Sequence, residues 1–233
     1  MKNILIIQNF NCSDTLRKNE INECIHHNTQ IGFDEVIIFN DSIEPTFLSS
    51  HIKNIDSSGR LTYADFLKVV DNPANYGDLL VMTNSDIKLD PKILESKKYL
   101  KEKMLFVFTR YEIDGNLAKN PEITQDTWAL LGQPIPKGIK NQSLIPLGLP
   151  GCELRFAEIF FSSGFAVFNP CLSVQNTHIH SKKTEHLDEN RLWGAYLFTP
   201  ACYFDDTVGA IKHFPTPFYL TSFIKKYFVM REH

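Results

Sequence analysis

Apolar runs alternate with amphipathic stretches through the first half of the chain. Ile4-Leu5-Ile6-Ile7 is four apolar residues in a row before Gln8. That run predicts a first strand over 4–8 and is too short for a signal-peptide core or a membrane span. From Asp14 to about residue 30 the spacing turns helical, with Leu16, Ile21, Cys24 and Ile25 as the apolar stripe and Gly32 as the stop. Strands follow over 35–40 and 52–55, then a helix over 61–70 that ends before Pro73. Leu79-Leu80-Val81-Met82 runs into Thr83-Asn84-Ser85-Asp86, which reads as a buried parallel strand carrying a carboxylate at its carboxyl end. Pro91 opens a helix over 91–100, and 104–110 is a further apolar strand. Strand and helix in this order predict an α/β fold with a mostly parallel twisted sheet flanked by helices.

Beyond about residue 112 the alternation weakens. Gly and Pro punctuate 116–121 and 132–150, so loops are expected there, with a helix over 153–162 and a strand over 166–168 closing the fold. The pattern divides the chain into a domain over 1–205 and a tail over 206–233. Residues 211–233 are rich in Phe and Tyr, with Lys212, Lys225, Lys226 and Arg231 against Glu232. Such a tail suits either a helix packed back on the core or a contact with a membrane surface or polyanion.

Composition narrows this little. With 233 residues there is ample length for one large core, and 43% apolar with 22% charged residues is ordinary for a soluble globular chain. A net charge of −3 does not indicate a wholesale nucleic-acid surface. Five scattered cysteines without a CxxC pair point to a reducing, cytoplasmic setting rather than a disulfide framework or thiolate zinc site. Neither GxGxxG, GxxxxGK[ST] nor GxSxG occurs, which removes the usual dinucleotide, P-loop and α/β-hydrolase readings.

Four polar clusters remain. Asp86 stands where open α/β sheets face their ligand, and a lone carboxylate there suits a divalent cation carrying phosphates; capping a loop is the alternative. His178 and His180 are two apart, so an extended backbone aims both imidazoles to one face, as metal ligands or as a satisfied strand-end pair. Thr124-Gln125-Asp126-Thr127-Trp128 sets a polar trio before a buried-type aromatic. Gly148-Leu149-Pro150-Gly151-Cys152-Glu153-Leu154-Arg155 delivers an acid and an arginine at a helix start. Outside these clusters, Arg60 suits a phosphate and Tyr63 a base, against the plainer reading of a surface arginine and a half-buried tyrosine.

Taken together, the clusters resemble the GT-A type of glycosyltransferase, the nucleotide-diphospho-sugar transferase superfamily, over most of residues 1–200. Asn84-Ser85-Asp86 stands where that superfamily carries its DxD motif, with Asn for the first acid. Within it the chain is similar to a largely uncharacterised group with an NSDI strand end, QDxW, a GxxGCDNR element and HxHxS. Here these read Asn84-Ser85-Asp86-Ile87, Gln125-Asp126-Thr127-Trp128, Gly148 to Arg155 and His178-Ile179-His180-Ser181. Cys152-Glu153-Leu154-Arg155 departs from Cys-Asp-Asn-Arg, lengthening the acid and removing an amide.

The resemblance implies a metal-dependent transfer of sugar from a nucleotide-sugar donor to an acceptor that the sequence does not identify. It implies Mn2+ or Mg2+ on Asp86 with His178 and His180. Gln8, Phe10, Arg17, Arg60, Tyr63, Asn84, Ser85 and Arg155 would hold the nucleotide-sugar. Asp126 and Glu153 are the candidates for the base, with Asp126 preferred and Glu153 as a sugar or acceptor contact. A nucleotidyltransferase is disfavoured because Asn9-Phe10-Asn11-Cys12-Ser13 lacks the glycine- and lysine/arginine-rich loop of that class. A non-catalytic binding partner of the same fold is the rival that the Glu153-Leu154 departure would favour.

Overall fold

The first apolar run is continuous because both of its faces are covered. β1 (Asn3–Phe10) lies between two parallel neighbours, β2 (Glu35–Asp41) and β4 (Leu79–Thr83). Ile4 and Ile6 join one apolar cluster, while Leu5 and Ile7 join another on the opposite face. A strand buried on both sides has no need of polar alternation. In this computed structural model, residues 1–180, 191–192 and 194–207 are described. The tail expected over 211–233 lies outside them, and of 206–233 only Asp206 and Thr207 are described.

The central sheet has seven strands in the order β3-β2-β1-β4-β7-β6-β8. β3 is Ile52–Ser57, β6 Met104–Thr109, β7 Gln125–Leu131 and β8 Ala166–Phe168. All neighbours run parallel except β7, which is antiparallel to both β4 and β6. The fold is therefore α/β with a mostly parallel sheet, as the alternation of elements predicts. Helices cover both faces. α1 (Thr15–Asn28) packs Ile21 and Ile25 on one, together with Ile93 and Leu100. α2 (Tyr63–Val70) packs on the other.

Several boundaries differ from the sequence reading. α1 is capped by Asp14, whose side chain accepts from the Leu16 and Arg17 amides, but it ends at Asn28 with Thr29 as its C-cap, before Gly32. Leu16 is exposed rather than part of the apolar stripe. The segment opened by Pro91 is a 3-10 turn, Pro91–Glu95, followed by one helical turn, α3 (Ser96–Tyr99). The larger differences lie beyond residue 112, in 125–131, for which the sequence reading names no element, and in the stretch 132–150 expected to be loops. Gln125–Leu131 is an interior strand with Trp128, Ala129 and Leu130 fully buried, and α4 (Lys137–Gln142) follows it.

β4 stops at Thr83, so Asn84-Ser85-Asp86 forms the turn out of the sheet. The chain then makes the short β5 (Ile87–Lys88), which pairs antiparallel with β9 (Thr177–His178). Because β7 runs against β4, its first residues meet the end of β4: the Asn84 amide donates to the Asp126 carbonyl at 2.9 Å. Across from this junction starts α5 (Cys152–Ser162). Gly151 precedes it at φ +84°, a left-handed conformation open to glycine, and an added Cβ would sit 2.9 Å from the Tyr196 hydroxyl. Among the described residues, no helix is long and apolar enough to cross a membrane.

Candidate active site

A cleft of ≈ 1310 Å³ opens at the carboxyl ends of β1, β2 and β4, with the start of β7 and the amino end of α5 as its other wall. This is the end of a parallel sheet where ligands bind. Gln8, Phe10, Arg17 and Arg60 line it, as do Asn84, Ser85 and Asp86. Asp126, Glu153, His178 and His180 line it too. Residues from seven separate stretches of sequence thus face one space.

The pairing of β5 with β9 assembles the metal-type cluster. His178 stands opposite Ile87, next to Asp86, and the Ile179 amide donates to the Asp86 carbonyl at 2.8 Å. The extended backbone puts His178 and His180 on one face with their rings parallel, centroids 5.5 Å apart and 5° between planes. Ligand atoms of Asp86, His178 and His180 all lie within 4.8 Å of one another. His178 Nε2 is 3.1 Å from Asp86 Oδ2. Neighbouring ligands of one octahedral cation at bonds of about 2.1 Å are separated by about 3 Å, so this pair is already at ligand spacing. One carboxylate with two imidazoles suits a transition-metal ion such as manganese better than a cation restricted to oxygen ligands.

Electrostatics follow from these contacts. Burial alone would raise the Asp86 carboxyl, but the hydrogen bond and charge of His178, and then Arg17, hold it well below the usual carboxylate range. His178 moves the other way. Burial lowers it, yet Asp86 and then Asp126 leave it raised above an ordinary histidine. His178 Nδ1 also lies 3.8 Å from Glu112 Oε2. Arg17 reaches across from α1 and donates Nη2 to Asp86 Oδ2.

The two candidate bases sit in contrasting surroundings. Both Asp126 oxygens are engaged: Asn84 Nδ2 donates to Oδ1 at 2.6 Å and Arg110 Nη1 to Oδ2 at 2.9 Å. Glu153 lies in the first turn of α5, where burial and the Asp126 charge push its carboxyl up to about 7 against the pull of its own amide, Cys152 and Arg191. It is the acid poised to exchange a proton near neutral pH.

Two expected contacts do not reach the cleft. Tyr63 is fully buried, stacked on Phe156 at 4.1 Å and edge-on to Trp128 at 5.0 Å, with its hydroxyl 3.5 Å from Cys152 Sγ. It is a core residue and cannot stack on a base. Arg155 turns along α5 to pair with Glu158 and to donate to the Ala195 carbonyl at 3.5 Å. Leu154 is largely buried but forms part of the cleft wall. Conversely, Arg110, Glu112, Asp41 and Arg191 line the cleft and were not singled out in the sequence. Arg110 follows β6 as Asp86 follows β4, and the same strand-end argument would have found it.

No family model matches the sequence, and no curated protein does. Solved structures to which the chain is similar include a protein described as a nucleotide-diphospho-sugar transferase from Desulfovibrio desulfuricans G20. It is 9% identical, over 72% of this chain and 78% of that one, with a TM-score of 0.48. A second is described as a glucose-1-phosphate thymidylyltransferase from Bacillus anthracis, at 10% identity over 71% and 86%, TM-score 0.45. A third is GalNAc-T7 solved with UDP, GalNAc and Mn2+, at 8% identity over 77% and 44%, TM-score 0.42.

Proposed function

We propose that this chain is a metal-dependent glycosyltransferase that moves a sugar from a nucleoside-diphosphate donor to an acceptor hydroxyl. The observation that carries the reading is the convergence of Asp86, His178 and His180 at the sheet end, across one cleft from Glu153. A divalent cation bound by the three would act as a Lewis acid on the departing diphosphate. Gln8, Phe10, Arg60 and Ser85 line the donor half of the cleft. Ser85 Oγ donates to the Gln8 carbonyl at 2.5 Å, tying the turn after β4 to the end of β1.

In this reading Glu153 rather than Asp126 is the base. Asp126 already accepts from Asn84 and Arg110, so taking a proton would forfeit an ion pair and a hydrogen bond. Its role is to hold Arg110 and the turn after β4 in place. Glu153 takes the acceptor hydroxyl proton as that oxygen bonds to the anomeric carbon and the carbon–phosphate oxygen bond breaks, releasing the nucleoside diphosphate. A binding-only partner of the same fold would release no nucleoside diphosphate.

Donor turnover tests this directly. Release of nucleoside diphosphate from a panel of nucleotide-sugars is expected with manganese, to stop with chelator, and to fall at least a hundredfold in Asp86→Ala. Turnover by Asp86→Ala at the wild-type rate would overturn the metal assignment.

A further inference from the structure

Asp86 Oδ2 accepts hydrogen bonds from two donors, His178 Nε2 at 3.1 Å and the Arg17 guanidinium. Arg17 is held there by more than this contact. Its Nη1 donates to Glu20 Oε2 at 3.3 Å and to the Ile179 carbonyl at 3.4 Å, on the stretch between the two histidines. The guanidinium therefore bridges α1, the turn after β4 and the His178–His180 segment. A divalent cation ligated by Asp86, His178 and His180 would share that carboxylate with Arg17, whose guanidinium sits on Oδ2. It would also place two positive charges against one carboxylate in a partly buried setting, where repulsion is poorly screened.

We infer that Arg17 is an internal cation that caps Asp86 before the donor arrives, and that the donor diphosphate draws it away, so that metal and nucleotide bind cooperatively. The inference rests on the metal reading above. Three features favour it. Arg17 lines the same cleft as the cluster, so its guanidinium can turn to a ligand there without crossing the core. A guanidinium presents a planar fork that suits phosphate oxygens as well as it suits a carboxylate. And Glu20, one turn along α1, gives Arg17 a second anchor when Asp86 is surrendered. Each ligand removes what opposes the other, which is a coupling free energy and is reciprocal.

The test is manganese titration, followed by calorimetry or by the paramagnetic signal of the free ion, with and without a nucleoside diphosphate. Wild type, Arg17→Gln, Arg17→Lys and Arg60→Gln are compared; the last removes a charge from the same cleft at a residue that does not touch Asp86. Wild type is expected to bind manganese at least tenfold more tightly with the nucleotide than without it. Arg17→Gln should bind manganese alone at least tenfold more tightly than wild type, with the nucleotide enhancement reduced to threefold or less. Arg17→Lys, whose single ammonium cannot span Asp86, Glu20 and Ile179 together, should show the same change in smaller measure. Equal tightening in Arg17→Gln and Arg60→Gln would reduce the effect to net charge and overturn the inference. So would nucleotide binding that needs no metal and is lost in Arg17→Gln, which would make Arg17 the cation itself. Manganese binding untouched by Arg17 defeats this inference alone, whereas no manganese binding under any condition defeats the metal reading with it.

Discussion

Single side chains divide into those whose chemistry was readable from type and spacing and those whose neighbours decide it. Asn84 takes its meaning from Asp126: Asn84 Nδ2 donates to Asp126 Oδ1, and a carboxylate at 84 would face another across a hydrogen-bond distance. Glu153 is the position with the most to measure. Its carboxyl is raised from 4.5 to about 7, so between those values the native protein keeps a proton that the unfolded chain has released. Stability therefore falls as pH rises through that window, by on the order of 3 kcal/mol. Glu153→Gln is expected to lose that dependence and to be the more stable protein at pH 8, as read by denaturant unfolding at pH 5 and pH 8. The same variant should lose about a hundredfold or more in kcat, while wild-type turnover rises with pH through about 7. The sequence reading preferred Asp126 as the base, and it is the partners of the two acids that reverse that preference in the proposed mechanism.

At the scale of elements, two junctions make the site. The strand pair β5–β9 brings histidines from late in the chain beside Asp86, and the antiparallel entry of β7 brings Asp126 to Asn84. Neither pairing is legible locally. β9 is only two residues long, and the opening of β7 is polar enough to pass for a loop. The third element is the start of α5, which depends on Gly151. Gly151→Ala meets the Tyr196 hydroxyl at 2.9 Å and the Leu192 carbonyl at 3.2 Å, and must hold a left-handed backbone. The expected cost is about 1–3 kcal/mol of stability. The first turn of α5 must also shift, so kcat should fall at least tenfold at temperatures where the variant is still folded, measured alongside its melting curve. An unchanged kcat would show that Glu153 does not need this turn.

Across the whole molecule, the sheet separates two apolar clusters, and the wall of the cleft is continuous with one of them. Tyr63 of α2, Trp128 of β7 and Phe156 of α5 form one aromatic contact set behind the site. Truncating it loosens three elements together. Tyr63→Ala is expected to destabilise the protein by about 3–5 kcal/mol, whereas Tyr63→Phe should stay within about 1.5 kcal/mol and leave the donor KM unchanged. A raised donor KM in Tyr63→Phe would return the hydroxyl to the site. The sequence by itself determined the α/β class, the first strands and helices, and the residue types able to hold a metal, because periodicity and apolar runs are properties of neighbouring residues. Only the tertiary structure decided which of those residues meet. It placed Tyr63 in the core, turned Arg155 onto Glu158, brought Arg110 to Asp126 and set Arg17 on Asp86. Those outcomes depend on strand order and on what lies across the sheet, and distance along the chain carries no record of either.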